Sequence, residues 1–248
     1  MITLYRPSGY DSPRASSFAG RSVDDKPLDV ENGSLFKEID TGRVFRYDKE
    51  NNLWIEQKST TGGGGATEPY IEETYDADGN LIGAKMYGYT KVRDYAFYGC
   101  TSLALTSLPE GLTSIGDGAF TGCSNLALTS LPAGVTSIGI EAFAGCSNLA
   151  LTSLPAGVTS IGNSAFAGCS NLALTSLPAG VTSIGNSAFY GCTSLTSITF
   201  KGTPNAIAAN AFNGCTNLTD IKVPWAEGAV ANAPWGATNA TITYNYTE

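Results

Sequence analysis

A single spacing constrains this chain more than any other feature. Six cysteines, Cys100, Cys123, Cys146, Cys169, Cys192 and Cys215, follow one another at intervals of 23 residues. Six phenylalanines, Phe97, Phe120, Phe143, Phe166, Phe189 and Phe212, keep the same step. A glycine, such as Gly122 or Gly145, stands between each Phe and its Cys. The unit reads Ala-Phe-x-Gly-Cys, then Leu-Thr-Ser-Leu-Pro, then Val-Thr-Ser-Ile-Gly. No unit of that size can bury its own apolar face, so like residues must stack over like in a continuous core, which makes the fold a solenoid. Leu126, Leu128, Leu131, Val135, Ile138, Phe143 and Cys146 mark one turn, and Leu149, Leu151, Leu154, Val158, Ile161, Phe166 and Cys169 the next.

The fold is expected to be mainly β. Short strands through Leu-Thr-Ser-Leu and Val-Thr-Ser-Ile should pair with their equivalents about 4.8 Å above and below. Pro109, Pro132, Pro155 and Pro178 would end the first strand, since proline has no N–H for the ladder. The glycine after Ile, as in Gly139 and Gly162, would allow the next bend. Asn163-Ser164-Ala165-Phe166 suggests a short capped helical turn.

Over residues 92–224, Ile-Gly-x-x-Ala-Phe-x-Gly-Cys-x-x-Leu followed by Leu-Pro and Val-x-x-Ile resembles the BspA-like leucine-rich repeat. The resemblance implies a leucine-rich-repeat solenoid with 23-residue repeats. One departure concerns the sixth position after Cys, often aliphatic in that family. It is Thr106, Thr129, Thr152 and Thr175 here, with Leu one position earlier, whereas Ile198 and Ile221 restore the common pattern.

The regions flanking the repeats (96–223) differ from them in composition. Residues 70–95 contain Asp78-Gly79 between two strand-like runs, which predicts a hairpin cap. Asp76, Asp78 and Asn80 resemble the start of a calcium loop, but the closing Glu is missing and a plain turn is expected. Residues 224–248, with Trp225 and Trp235, are expected to cap the last coil with a covering loop and a final strand. The tryptophans would otherwise form a ligand platform. Residues 59–69 form a Gly-rich linker whose segment 59–67 spans roughly 16 Å as a coil. Before it, residues 34–58 read as a three-stranded β-meander, and residues 1–33 as an extended N-terminal arm that orders on a partner.

The N-terminal part carries a second resemblance. Asp24-Asp25-Lys26-Pro27, Asn32-Gly33-Ser34, Glu38-Ile39-Asp40-Thr41-Gly42-Arg43-Val44-Phe45-Arg46-Tyr47-Asp48 and Trp54-Ile55-Glu56 resemble a small β module near the N-termini of tailed-phage virion proteins. The ending Pro-Trp-Gly-Ala-Thr-Asn-Ala-Thr-Ile is similar to phage proteins with this repeat. The implied role is a head fibre, decoration or tail-associated adhesin. Residues 1–58 would attach to phage capsid or tail protein, and the solenoid would meet a host surface protein or glycan. The expected localisation is the virion surface after synthesis in the host cytoplasm, and Met1–Pro7 lacks the basic and apolar stretches of a secretion signal. A homotrimer is compatible with a fibre, although no heptad run encodes it. The competing readings are a bacterial surface adhesin of the same repeat family, a purely structural spacer, and a designed array.

Residue chemistry narrows function further. The 248-residue chain has no histidine, which removes His triads, His metal sites and the usual general base. Its net charge of −8 argues against nucleic acid as a partner. No apolar run is long enough to cross a membrane. Even cysteine number invites disulfides, but six equivalent inward positions have parallel side chains with poor bridging geometry, so a reduced, buried ladder is expected, with Cys as a small apolar residue. Cysteines in a line cannot converge on zinc, and no metal or other cofactor is expected. No catalytic residue stands out, and no enzyme is expected. Between Cys100 and Phe200 there is no Lys or Arg, and the acids are Glu110, Asp117 and Glu141. Such a surface would contact glycan or protein through many short hydrogen bonds. Tyr98 and Tyr190, at the variable position after Phe, are candidate partner contacts or local packing residues.

Overall fold

The computed structural model describes residues 69–247, and within residues 1–68 the backbone of five strands. The chain divides into two compact units, Met1–Thr67 and, apart from one hairpin tip, Glu68–Glu248. The 59–69 linker lies outside the described residues save for Pro69.

In the first unit β1 (Thr3–Leu4), β2 (Ser17–Gly20), β3 (Leu35–Glu38), β4 (Val44–Asp48) and β5 (Leu53–Gln57) form one sheet in sequence order. β3, β4 and β5 pair antiparallel as a meander. β2 adds to β3 in parallel and β1 to β2 antiparallel. Two strands thus stand where an extended arm is expected. Pairing gives β3 a partner for backbone groups that an edge would leave open.

The second unit opens on the antiparallel hairpin of β6 (Tyr70–Tyr75) and β7 (Leu81–Tyr87). At its turn the Asp76 carboxylate accepts from the Asn80 backbone N–H at 2.8 Å and from its Nδ2 at 2.9 Å. That carboxylate clamps the two ends of the turn together. Ten short strands follow: β8 (Lys91–Val92), β9 (Ser114–Ile115), β10 (Ser137–Ile138), β11 (Ser160–Ile161), β12 (Ser176–Leu177), β13 (Ser183–Ile184), β14 (Ser197–Phe200), β15 (Ala206–Ile207), β16 (Asp220–Lys222) and β17 (Thr241–Thr243). They make two parallel sheets, β15-β13-β11-β10-β9-β8 and β12-β14-β16-β17. Register advances by the repeat length, Ser137 facing Ser114 on one side and Ser160 on the other. Among the described residues no helix forms, and the unit is a β-solenoid with repeats of 23 residues.

The Val-Thr-Ser-Ile segments form the six-stranded sheet. The Leu-Thr-Ser-Leu segments form strands only toward the C-terminal end. In the last turns Ile198 and Phe200 are two residues apart and both buried, which a strand satisfies with one face. The central turns keep single rung bonds there, such as Ala150 N–H to Leu128 O at 3.1 Å.

Asn163–Phe166 also differs from expectation. It forms consecutive turns in place of a capped helix. Alternate amides serve the turn and the stack: Ala165 and Ala167 donate three residues back, whereas Ser164, Phe166 and Gly168 donate to Asn186, Ala188 and Tyr190 of the next coil. Ser164 has φ of 53°, outside the helical region.

Gly139 and Gly162 play a different part from the expected bend. Neither has a positive φ. A Cβ on Gly162 would lie 2.5 Å from Gly139 C and 2.6 Å from Ile140 N, backbone that cannot swing aside. These glycines allow close approach of consecutive coils. Gly162→Ala is expected to destabilise the solenoid by about 1–3 kcal/mol through overpacking, read as a lower urea midpoint. Ala208 holds the equivalent place in the sixth turn. Ala209, beside it, has no carboxylate or amide to continue the side-chain ladder described below.

Both ends of the core are covered. Ala104 N–H bonds Ile82 O of the hairpin at 3.0 Å. At the other end Trp235 is 0% exposed, its carbonyl accepts from Phe212 N–H at 2.9 Å, and its Nε1–H donates to Ala231 O at 2.7 Å. Phe212, the last ring of the parallel stack, meets Phe200 edge to face at 6.4 Å, and Phe200 meets Trp225 edge to face at 5.3 Å. Both tryptophans are buried, so neither presents a platform to ligand.

Candidate functional site

The phenylalanines and cysteines form the axis of the solenoid. Successive rings from Phe97 to Phe212 stack with centroids 5.0 to 5.5 Å apart and planes within 9°. Cys123, Cys146, Cys169, Cys192 and Cys215 are buried, whereas Cys100, at the open end of the row, is half-buried. None of the six is joined in a disulfide.

Each buried thiol does more than fill space. Its S–H donates to the carbonyl of the Phe 26 residues earlier: Cys123 to Phe97 O at 2.9 Å, Cys146 to Phe120 O and Cys169 to Phe143 O at 3.0 Å. Cys192 and Cys215 repeat the bond to Phe166 and Phe189. Cysteine is small and apolar enough for a dry core and still carries a weak donor. Burial, reinforced by the next thiol, holds Cys123, Cys146, Cys169 and Cys192 well above the ordinary thiol value, and burial alone pushes Cys215 up to about 11. These protonated thiols are poor nucleophiles and poor metal ligands. Among the described residues no group of three or more His, Cys, Asp or Glu could hold a metal ion.

Tyr98 is half-buried beside Tyr95, ring centroids 6.0 Å apart. Tyr190 is 51% exposed. They lie four coils apart on the Phe-x-Gly arc and do not share a site.

A concavity lies elsewhere, along the six-stranded sheet. A groove of about 550 Å³ crosses four coils, lined by the Ser-Ile-Gly segments and by Asp117, Ile140 and Asn163. A side-chain ladder edges it. Asp94 Oδ1 accepts from Asp117 N–H at 2.9 Å, Asp117 Oδ1 from Ile140 N–H at 2.7 Å, and Asn163 Oδ1 from Asn186 N–H at 2.8 Å. Ile140 breaks the ladder, offering no acceptor to the coil after it, and is 47% exposed. Ile140→Asn is expected to restore the rung and raise stability by about 1 kcal/mol, measured by urea unfolding. Beside the groove, Thr136 Oγ1–H donates to Thr113 O at 3.2 Å and Thr182 Oγ1–H to Thr159 O at 3.0 Å. Sequence reasoning from the core missed this face. Its signal was the series Asp94, Asp117, Ile140, Asn163, Asn186 at the repeat interval.

Comparison with known proteins agrees with this architecture. The BspA type leucine rich repeat region matches residues 90–219 in 6 copies. Similar solved structures include a leucine-rich repeat protein of T. pallidum, at 30% identity over 62% of this chain and 81% of that one, TM-score 0.48. A leucine rich cell surface protein from Faecalibacterium prausnitzii is 26% identical over 80% of this chain and 55% of that one, TM-score 0.44. A leucine-rich repeat protein from Bacteroides ovatus is 19% identical over 70% and 75%, TM-score 0.28. No curated protein matches the chain. The match begins at residue 90, so residues 1–58 lie outside it. With its six copies covering more than half of the sequence, the chain belongs to the BspA-type leucine-rich repeat family.

Proposed function

We propose that this chain is a non-enzymatic adhesion protein whose solenoid binds a host surface through the groove beside Ile140, and whose N-terminal unit attaches it to its carrier. The observation that carries this reading is the groove itself: about 550 Å³ of continuous surface over four coils, on a scaffold rigid enough to present it. Many copies on one particle would let weak contacts add. The carrier is a phage virion, on the resemblance of residues 24–56 to tailed-phage proteins. Family membership favours a second reading, in which the same solenoid serves a bacterial cell surface.

Adhesion is tested with the full chain on intact host-cell layers. Ile140→Arg, which puts a charge into the groove, should reduce retention, and Tyr190→Ala, on another arc, should not. Equal retention of both variants would remove the groove from the mechanism. Immunogold labelling with antibody to the full chain separates the carriers: label on phage particles supports the virion, and label confined to cell envelopes supports the second reading.

A further inference from the structure

We infer that two copies of this chain join through the last strand of the solenoid, β17 of one pairing antiparallel with β17 of the other across a two-fold axis centred on Ile242.

Three observations converge on that strand. First, its outer edge is open. β17 ends the four-stranded sheet, and its register against β16 sets Thr241 beside Asp220 and Thr243 beside Lys222. Thr241 N–H donates to Thr219 O, and Thr243 O accepts from Val223 N–H, both at 2.9 Å. Alternate residues of a strand in a parallel pair turn their backbone groups to opposite sides, so the N–H and C=O of Ile242 face away from β16. Among the described residues neither group meets a hydrogen-bond partner.

Second, the edge carries none of the devices that keep open edges apart, which are charge, proline and bulges. Lys91 stands in β8 with Arg93 just after it, at one end of the six-stranded sheet, and Pro204 precedes β15 at the other. The hairpin strands β6 and β7 carry Glu72, Glu73 and Lys85. β17 is Thr-Ile-Thr in regular register, and no charged residue stands between Glu227 and Glu248.

Third, the strand is its own complement. It presents a threonine on either side of Ile242, and both are exposed. Antiparallel pairing centred there lets the two Ile242 residues exchange both backbone hydrogen bonds. It also brings Thr241 of each copy against Thr243 of the other, a favourable cross-strand pair.

These features select a second copy over a strand of another protein. Any strand could satisfy the two backbone groups of Ile242. At a two-fold contact, however, each residue near the axis meets its own kind, so a charge there would face a like charge. The order Thr-Ile-Thr and the uncharged run around it are what such a contact requires. Pairing would merge two four-stranded sheets into one of eight strands, and each dimer would carry two grooves. An edge contact of this size is reversible and depends on concentration.

The test is sedimentation equilibrium of the full chain over about 1–100 µM. The parent should pass from monomer toward dimer as concentration rises. One variant carries Thr241→Lys with Thr243→Lys, and a second carries Thr241→Glu with Thr243→Glu. Each alone should stay monomeric, because like charges meet across the axis, and an equimolar mixture of the two should recover dimers. Both should melt with the parent at the lowest concentration, since the threonines are exposed. A parent that is monomeric throughout, an assembly that survives either variant, or a mixture that stays monomeric would each overturn the inference. The groove lies on the other sheet, so its part in adhesion is tested separately.

Discussion

Raising the pH from 7 to 10 is expected to remove about 7 kcal/mol of folding free energy from the solenoid, enough to unfold a domain of ordinary stability. The cause is the thiol row. An unfolded cysteine gives up its proton near its ordinary value of 9.0, whereas burial holds the five folded thiols well above it, Cys215 at about 11. Between those limits the unfolded chain binds fewer protons than the folded one. Stability is therefore whole below about pH 9 and falls as pH climbs toward the folded values. Each thiol contributes about 1.4 kcal/mol by pH 10, and the five act together because none can ionise without losing its bond to a Phe carbonyl.

Urea midpoints under reducing conditions from pH 7 to 10.5 check this. Cys146→Ala lowers the starting stability but should flatten the decline by about one fifth, and that change of slope isolates the titration from the packing loss. A midpoint independent of pH through 10 would contradict protonated, buried thiols.

The same row shows what could be read from sequence. Equal spacing places six thiols and six rings in line, and stacking follows because a lone coil cannot stay dry. The S–H bond to the Phe carbonyl was not legible. It depends on where a carbonyl of the preceding coil points, which spacing does not encode. The strands divide in the same way. Val-Thr-Ser-Ile has the β-branched content of a strand, whereas Leu-Thr-Ser-Leu has less of it and forms strands only toward the C-terminal end. The groove was hidden for a third reason: it is made by residues that are unremarkable in any one coil. Ile140 becomes conspicuous only when the coils are set one above another and its equivalents prove to be Asp and Asn. A repeat protein declares its fold through what recurs and its site through what fails to recur.

Phe143→Ala is expected to cost about 3–5 kcal/mol and to weaken the cooperativity of the array. The ring is 0% exposed and sits between Phe120 at 5.4 Å and Phe166 at 5.5 Å. Its removal leaves a cavity that the neighbours cannot close. The rung bonds on both sides, Phe120 N–H to Ala142 O and Phe143 N–H to Ala165 O at 2.8 Å, hold adjacent coils at fixed separation. A globular core relaxes around such a gap, whereas a stack would have to shorten its own repeat. In a linear array each coil is stabilised chiefly by its two interfaces, and this substitution damages both at once. The array should then behave as two shorter arrays, with a broader thermal transition and faster amide exchange in the coils flanking residue 143 than in those near Phe212. Phe143→Leu, which keeps most of the volume, should restore a sharp transition at about 1–2 kcal/mol below the parent. Equal broadening in both variants would mean that ring stacking, and not the filled volume, couples the coils.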